Sequence, residues 1–249
     1  MRARSLQIYI AASISLALVA ATLIHGPILQ PAHYHGFADT RAVAGIANGA
    51  DVLSNIGFLL AGWYGLLQVW RSRLAPALDQ IRPAYTVFFG ALVLTAFCSS
   101  WYHLAPDNAR LVWDRLPIAI ACAALLVAAA REYLDAPGAA LPLMLAFAFA
   151  SVAWWRYTDL LGHGDLGPYL ALQLLPIVLI PLLQWLAKAA REQRIAFALA
   201  IGLYVLAKLC EMADHALLAA LGLASGHTLK HMLAALAGLA LAKGFAMRR

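Results

Sequence analysis

Residues 225–242, "SGHTLKHMLAALAGLALA", combine a polar beginning with a long apolar run. The run belongs to a segment, 227–246, of about the 20 residues that a transmembrane helix needs. His227 and His231 are four positions apart and therefore lie on the same face of a helix. The stretch thus predicts a membrane helix that carries two imidazoles, together with the amine of Lys230, at one end.

The whole chain has the composition of a membrane protein. Of its 249 residues, 63% are hydrophobic and only 12% are charged, whereas soluble domains have about 25% charged residues. We predict an all-α membrane protein, a single domain over 1–249 with no separate soluble part. The predicted spans are 6–25, 51–70, 83–104, 115–131, 138–156, 168–188, 195–217 and 227–246.

The basic residues indicate the orientation of these spans. The net charge of +6 would be compatible with a nucleic-acid partner, but the Lys and Arg residues lie between apolar runs, so we expect none. Most of them fall in cytoplasmic segments if the N-terminus is cytoplasmic, which predicts both termini on that side. Arg115 and Arg131 flank the short fourth span and are expected to snorkel toward the surface. The few on the opposite side include Arg41 and Lys230.

Polar residues of the predicted helices gather near one membrane face, the extracytoplasmic one. Ionisable groups inside a membrane are costly and mark functional sites. The second helix begins with Asp51, Ser54 and Asn55; the third ends with Ser99 and His103; the fourth opens with Asp114; the seventh carries Lys208, Glu211 and Asp214; the eighth carries His227, Lys230 and His231.

Several of these residues also have ordinary structural interpretations. Ser54 and Ser100 are expected to bond to carbonyls of their own helices. Lys208 and Glu211 are three positions apart and can neutralise each other. Lys230 points away from both histidines of its helix, so it is not expected to bind a metal. We expect it to pair with Glu211 or Asp214, unless it snorkels to the surface.

His103, His227 and His231 offer three neutral nitrogen ligands that suit zinc. A catalytic zinc site uses three protein ligands and leaves the fourth position to water, whose pKa falls to about 7, so that it becomes the nucleophile. Asp114 is placed to take the water's proton, unless it only caps the fourth helix, and Ser99 to stabilise an oxyanion. The pattern predicts hydrolysis of an amide or ester whose tails lie in the bilayer.

Two quoted stretches carry a family resemblance. "SSWYHLAPDNARLVWDRLP" (99–117) with "SGHTLKH" (225–231) resembles the CREST superfamily of seven-helix membrane zinc hydrolases, most of all its alkaline ceramidase branch and that branch's bacterial members. The resemblance covers 39–246 and leaves 1–26 as an extra N-terminal helix. It implies a seven-helix core, a zinc cofactor and cleavage of the amide bond of ceramide or another N-acyl lipid, in a bacterial inner membrane.

The first core helix both supports the resemblance and departs from it. "NGADVLSNIGFLLAG" (48–62) resembles that helix, and the family's Ser-Asn pair falls on Ser54 and Asn55. Eukaryotic alkaline ceramidases carry an acidic calcium site here, but Asn48 stands at a key glutamate position and only Asp39 and Asp51 lie nearby. A Ca²⁺ site is therefore not carried over.

Two other functions compete with the hydrolase. Adiponectin receptors of the same superfamily have a similar zinc site, which would make this chain a receptor-like zinc protein. A transporter or a haem-binding helix bundle is the other class. Haem needs axial histidines that face each other across helices, and two histidines on one helix face suit it poorly.

Overall fold

The computed structural model describes residues 2–248, which form eleven helices. They are α1 (Arg2–His25), α2 (Gly49–Ser54), α3 (Ile56–Arg71), α4 (Pro76–Asp79), α5 (Arg82–Leu104), α6 (Asn108–Leu134), α7 (Ala140–Leu160), α8 (Gly167–Leu186), α9 (Arg191–Met212), α10 (Asp214–Leu221) and α11 (Gly226–Ala246). Eight stretches are long and apolar enough to span a membrane, with α2 and α3 counted as one, Gly49–Arg71. The prediction of an all-α membrane protein with eight spans is therefore confirmed.

Close helix packing brings the functional end of α11 against α9. A Cβ atom on Gly226 would lie only 2.0 Å from the carbonyl oxygen of Cys210 and 2.7 Å from the Cα of Asp214. Only glycine allows the two backbones to approach this closely. Small residues at helix contacts are the usual means of tight packing in a membrane, where burial of apolar side chains gives little driving force. The contact fixes the position of the first turns of α11.

The helix α1 lies outside the other seven spans. Its residue Ala11 packs in a small cluster with Leu175, Leu179 and Leu183 of α8. Only 6% of the most apolar window of α1 is buried within the protein, against 22% to 56% for the other spans. This arrangement agrees with the expectation of one additional N-terminal helix beside a seven-span bundle.

The loop 26–48, between α1 and α2, lies over one end of the bundle. At its beginning, the backbone of Ile28 bonds to Asp165 and Leu166 in the loop between α7 and α8. Toward its end, the backbone N–H of Ala38 donates to Asp214, and the side chain of Asn48 donates to the carbonyl oxygen of His103. The loop is therefore tied to three different parts of the bundle.

Helix boundaries differ from the sequence predictions where polar residues occur. The fourth span begins at Asn108 rather than at 115, and the side chain of Asp107 caps it by accepting from the N–H of Arg110 at 2.7 Å. The prediction that Asp114 opens this helix is wrong, because Asp114 lies in its second turn. Hydropathy marks the apolar part of a helix, and the polar first turns of α6 fall outside that part.

The seventh span was also placed too far along the chain. Its helix α9 ends at Met212, and Asp214 begins the separate helix α10, so the predicted end at 217 is wrong. The second span also differs from its prediction, because it is interrupted at Asn55, between α2 and α3. Asp214 accepts backbone N–H groups of other segments, those of Ala38 and His227.

Candidate metal centre

Three buried imidazoles meet between the end of α5 and the beginning of α11. His103 is near the end of α5, and His227 and His231 lie in the first two turns of α11. One ring nitrogen of each lies within 4.8 Å of the others, and the ring centroids are 4.8 to 5.0 Å apart. The group that the sequence predicted is thus present, in an arrangement able to hold a metal ion.

The spacing of one pair of ring nitrogens fits tetrahedral coordination. His103 Nε2 lies 3.2 Å from His227 Nε2. Two imidazole ligands of one zinc ion, at about 2.05 Å and a tetrahedral angle, have nitrogens about 3.3 Å apart. If these two rings are neutral and bind one cation, each Nε2 directs its lone pair at that cation.

The hydrogen bonds of His231 fix its tautomer. Its Nδ1 lies 3.2 Å from the carbonyl oxygen of Asp51 and 2.8 Å from Oγ of Ser54. A carbonyl oxygen only accepts, so Nδ1 must carry the proton. The lone pair of His231 is therefore on Nε2, and a ring orientation fixed in this way by an outer hydrogen bond is usual for metal-binding histidines.

The break between α2 and α3 provides that acceptor. The carbonyl oxygen of Asp51 accepts from Ser54 Oγ at 2.8 Å and from Asn55 Nδ2 at 2.9 Å, in addition to His231. Ser54 does bond to its own helix as expected, but it also reaches the imidazole. The expectation for Ser100 is wrong, because its Oγ donates at 3.2 Å to the carbonyl of Val52 and so joins α5 to α2.

The carboxylate of Asp51 faces α11 and is not one of the grouped ligands. It is fully buried, and its Oδ1 accepts from Thr228 Oγ1 at 2.6 Å and from Ser225 Oγ at 3.4 Å. Asp214 acts in a comparable way, since its Oδ1 accepts from the backbone N–H of His227 at 2.7 Å. The two carboxylates hold the first turn of α11 in place.

Asn48 and Phe37 contact the histidines, although nothing in the sequence indicated that they would. Asn48 Nδ2 donates to the carbonyl of His103 at 2.7 Å. The ring of Phe37 packs on both His103 and His227, with centroid distances of 4.8 and 4.4 Å. Both come from the loop 26–48, whose approach to the histidines no local pattern predicts.

Asp39, an acid of the loop 26–48, is bound by an arginine of the same loop. Its Oδ1 accepts from Nε of Arg41 at 2.8 Å and its Oδ2 from Nη2 at 2.7 Å. The hydrogen bonds from Arg41 hold the pKa of Asp39 below its ordinary value. Because Arg41 also donates to the carbonyl of Gly222 at 3.0 Å, the pair ties the loop 26–48 to the turn before α11.

Lys230 pairs as the sequence predicted. Its Nζ lies 2.6 Å from Oε1 of Glu211, whose Oε2 lies 2.7 Å from Nζ of Lys208. Lys230 Nζ is also 3.4 Å from Nε2 of His227. Glu211 thus pairs with two lysines, one of them beside the imidazole group.

A cavity of about 270 Å³ begins at this group and runs between the helices. Ser99, Asp114, Lys230 and His231 line it. Most of the remaining wall is apolar, including Phe88, Leu92, Ile177, Ile180 and Leu241. From Lys230 to Leu241 the lining follows α11 over about 16 Å, which suits a long apolar chain.

No protein-family model, no curated protein and no solved structure matches this chain.

Proposed function

We propose that this protein is a zinc-dependent intramembrane hydrolase that cleaves the amide bond of ceramide or a related N-acyl lipid. One observation carries the proposal: the group of three buried imidazoles adjoins a long apolar cavity whose wall also contains a serine and a carboxyl. Such a cavity suits an acyl chain, and the polar end suits the bond that would be cleaved.

His103, His227 and His231 would hold the zinc ion. Three neutral imidazoles without thiolates form the donor set typical of catalytic zinc, and the distance between the Nε2 atoms of His103 and His227 agrees with it. When bound, zinc acts as a Lewis acid and lowers the pKa of water toward neutrality.

Asp114 would be the proton acceptor. It is buried and lines the cavity together with Ser99. Because Asp107 already caps α6, capping does not account for Asp114. Its carboxylate would take the proton of the attacking water and deliver it to the leaving amine.

Ser99 would assist at the carbonyl of the substrate. It lies one helical turn before His103 on α5 and lines the cavity. Its hydroxyl can donate a hydrogen bond to the oxygen on which negative charge develops. The residues behind the histidines, Asp51, Ser54 and Asn55, would keep His231 in its tautomer.

The membrane arrangement follows from the charge distribution. We infer a multi-pass protein of a bacterial inner membrane with both termini in the cytoplasm, because most basic residues then lie on the cytoplasmic side. The imidazole group would lie toward the extracytoplasmic face, at the ends of α5 and α11 remote from the cytoplasm. The substrate would be a lipid of the surrounding bilayer.

Hydrolysis by the purified, zinc-loaded protein tests the proposal. Incubation with a long-chain ceramide and a panel of other N-acyl amides, followed by mass spectrometry, should show release of fatty acid and amine. His215→Ala, a change at an exposed residue, should leave the rate unchanged, whereas His103→Ala should abolish it. No release from any substrate by zinc-loaded protein would favour a receptor-like or transport function instead.

A further inference from the structure

Arg115 is a buried cation in the wall of the same cavity. Only 2% of its surface is exposed, and it lines the cavity together with Ser99 and Asp114. Its guanidinium lies over the ring of Trp155, at 4.0 Å from the centroid, and within 5.5 Å of the rings of Tyr34 and Tyr169. These rings hold the planar group in one orientation.

The guanidinium retains unused donors. Nη2 of Arg115 donates to Oε1 of Gln30 at 2.8 Å, but Nε and Nη1 have no hydrogen-bond partner within residues 2–248. No ion pair of Arg115 occurs in that part of the chain either. Buried donors without acceptors are costly, so the two unsatisfied N–H donors of this cavity-lining arginine indicate a ligand that supplies the acceptors.

The wall of the cavity contains other cations besides Arg115. Three cations line it, Arg115, Lys208 and Lys230. Against them stand two carboxyls, Asp114 in the wall and Glu211, which bonds to both lysines. Among the side chains that line the cavity, cations therefore outnumber carboxyls.

We infer that Arg115 binds an anionic headgroup, and that the preferred ligands are N-acyl lipids whose amine part carries a carboxylate, such as N-acyl amino acids. The apolar length of the cavity takes the acyl chain, and the head then lies at the end that contains Arg115. A guanidinium fork suits a carboxylate because it can donate two parallel hydrogen bonds. This inference rests on the proposed function for the acyl-amide part of the ligand.

Binding to the full-length protein in detergent tests the inference without any turnover. N-palmitoylglycine and N-palmitoylethanolamide have the same chain and amide and differ in the charge of the head. Their dissociation constants can be measured through tryptophan fluorescence, since Trp155 contacts Arg115. The wild type should bind the glycine conjugate about 10- to 100-fold more tightly, the range for a hydrogen bond to a charged group.

The variant Arg115→Gln should lose this preference and still bind the ethanolamide as the wild type does. Arg115→Lys should keep part of it, because the charge remains. Arg110→Gln is the matched control, since Arg110 is on the same helix, pairs with Asp107 and does not line the cavity. It should leave both constants unchanged.

Equal binding of the two conjugates by the wild type would overturn the inference, whether or not any variant folds. So would equal weakening of both conjugates in Arg115→Gln, which would make the arginine a packing residue. Palmitate serves as a third ligand. If only the binding of palmitate depended on Arg115, the arginine would bind a free fatty-acid carboxylate and not a headgroup, and the inference would be wrong. If the wild type binds the glycine conjugate more tightly but hydrolyses no amide, the proposed function is refuted and the inference about Arg115 stands.

Discussion

Ser54 Oγ lies 2.8 Å from Nδ1 of His231, so the last residue of α2 touches a candidate metal ligand on α11. The same hydroxyl donates to the carbonyl of Asp51, to which His231 Nδ1 also bonds. The interruption of the second span thus creates the acceptors that orient the imidazole. A continuous helix would use that carbonyl in its own ladder of hydrogen bonds.

Replacing Ser54 by Ala should therefore weaken zinc binding without removing it. Loss of such an outer hydrogen bond typically costs about 10- to 100-fold in metal affinity, and the carbonyl of Asp51 remains as a second acceptor. Competition with a chelator measures the change. Ser151→Ala is the control, because Ser151 bonds only to the carbonyl of Ala148 on α7. Unchanged affinity in Ser54→Ala would mean that the hydroxyl does not hold the ring.

Replacing Lys230 by Met should lower stability while zinc affinity stays near that of the wild type. The change removes the 2.6 Å pair with Glu211, and a lost hydrogen bond between charged groups costs about 1–3 kcal/mol. Lys208→Met removes the more exposed partner and should cost less, about 1 kcal/mol at most. Thermal unfolding in detergent and metal titration give the two quantities. A parallel loss of zinc would make Lys230 part of the metal site.

Changes at Asp114 and Ser99 should separate metal binding from turnover. Asp114→Asn should keep zinc and fold but lose about 10²–10⁴-fold in rate, since the general base is gone. Ser99→Ala should lose about 10²–10³-fold, as expected for one oxyanion donor. Asp107→Asn is the control, because asparagine is an equally good cap for α6. Wild-type turnover in Asp114→Asn would require another proton acceptor.

Reporter fusions test the orientation. A reporter that is active only outside the cytoplasm should be silent at either terminus and active when inserted near Gly162, in the loop between α7 and α8. A cytoplasmic reporter should give the reverse pattern. An active extracytoplasmic reporter at the C-terminus would refute the orientation inferred from the basic residues.

Apolar length and charge predicted the number of spans because a bilayer demands about 20 apolar residues from each. The pairing of Lys230 with Glu211 was predictable for a related reason, since an ammonium at that depth needs an anion. The meeting of His103 with His227 and His231 followed from the alternation of the spans, which brings the end of one helix beside the start of another.

Residues whose roles depend on tertiary contacts were misread. Arg115 was expected to snorkel to the surface but is 2% exposed among three aromatic rings. Asp114 resembled a helix cap because hydropathy does not mark the polar first turns of α6, so that the helix was expected to begin at 115 and not at Asn108. Phe37 packs on the imidazoles and Asn48 bonds to the backbone of His103. Both come from a loop, and a loop's path over a bundle has no periodic pattern in the sequence.

The zinc content of the purified protein is the most direct test of the account. Mass spectrometry of the metals should find about one zinc per chain in the wild type and in His215→Ala, whose histidine is exposed and does not belong to the group. His103→Ala, His227→Ala and His231→Ala should each lose most of the zinc, because two imidazoles cannot complete a three-ligand site. Full zinc occupancy in any of these three variants, or iron with a haem spectrum in the wild type, would contradict the central claim.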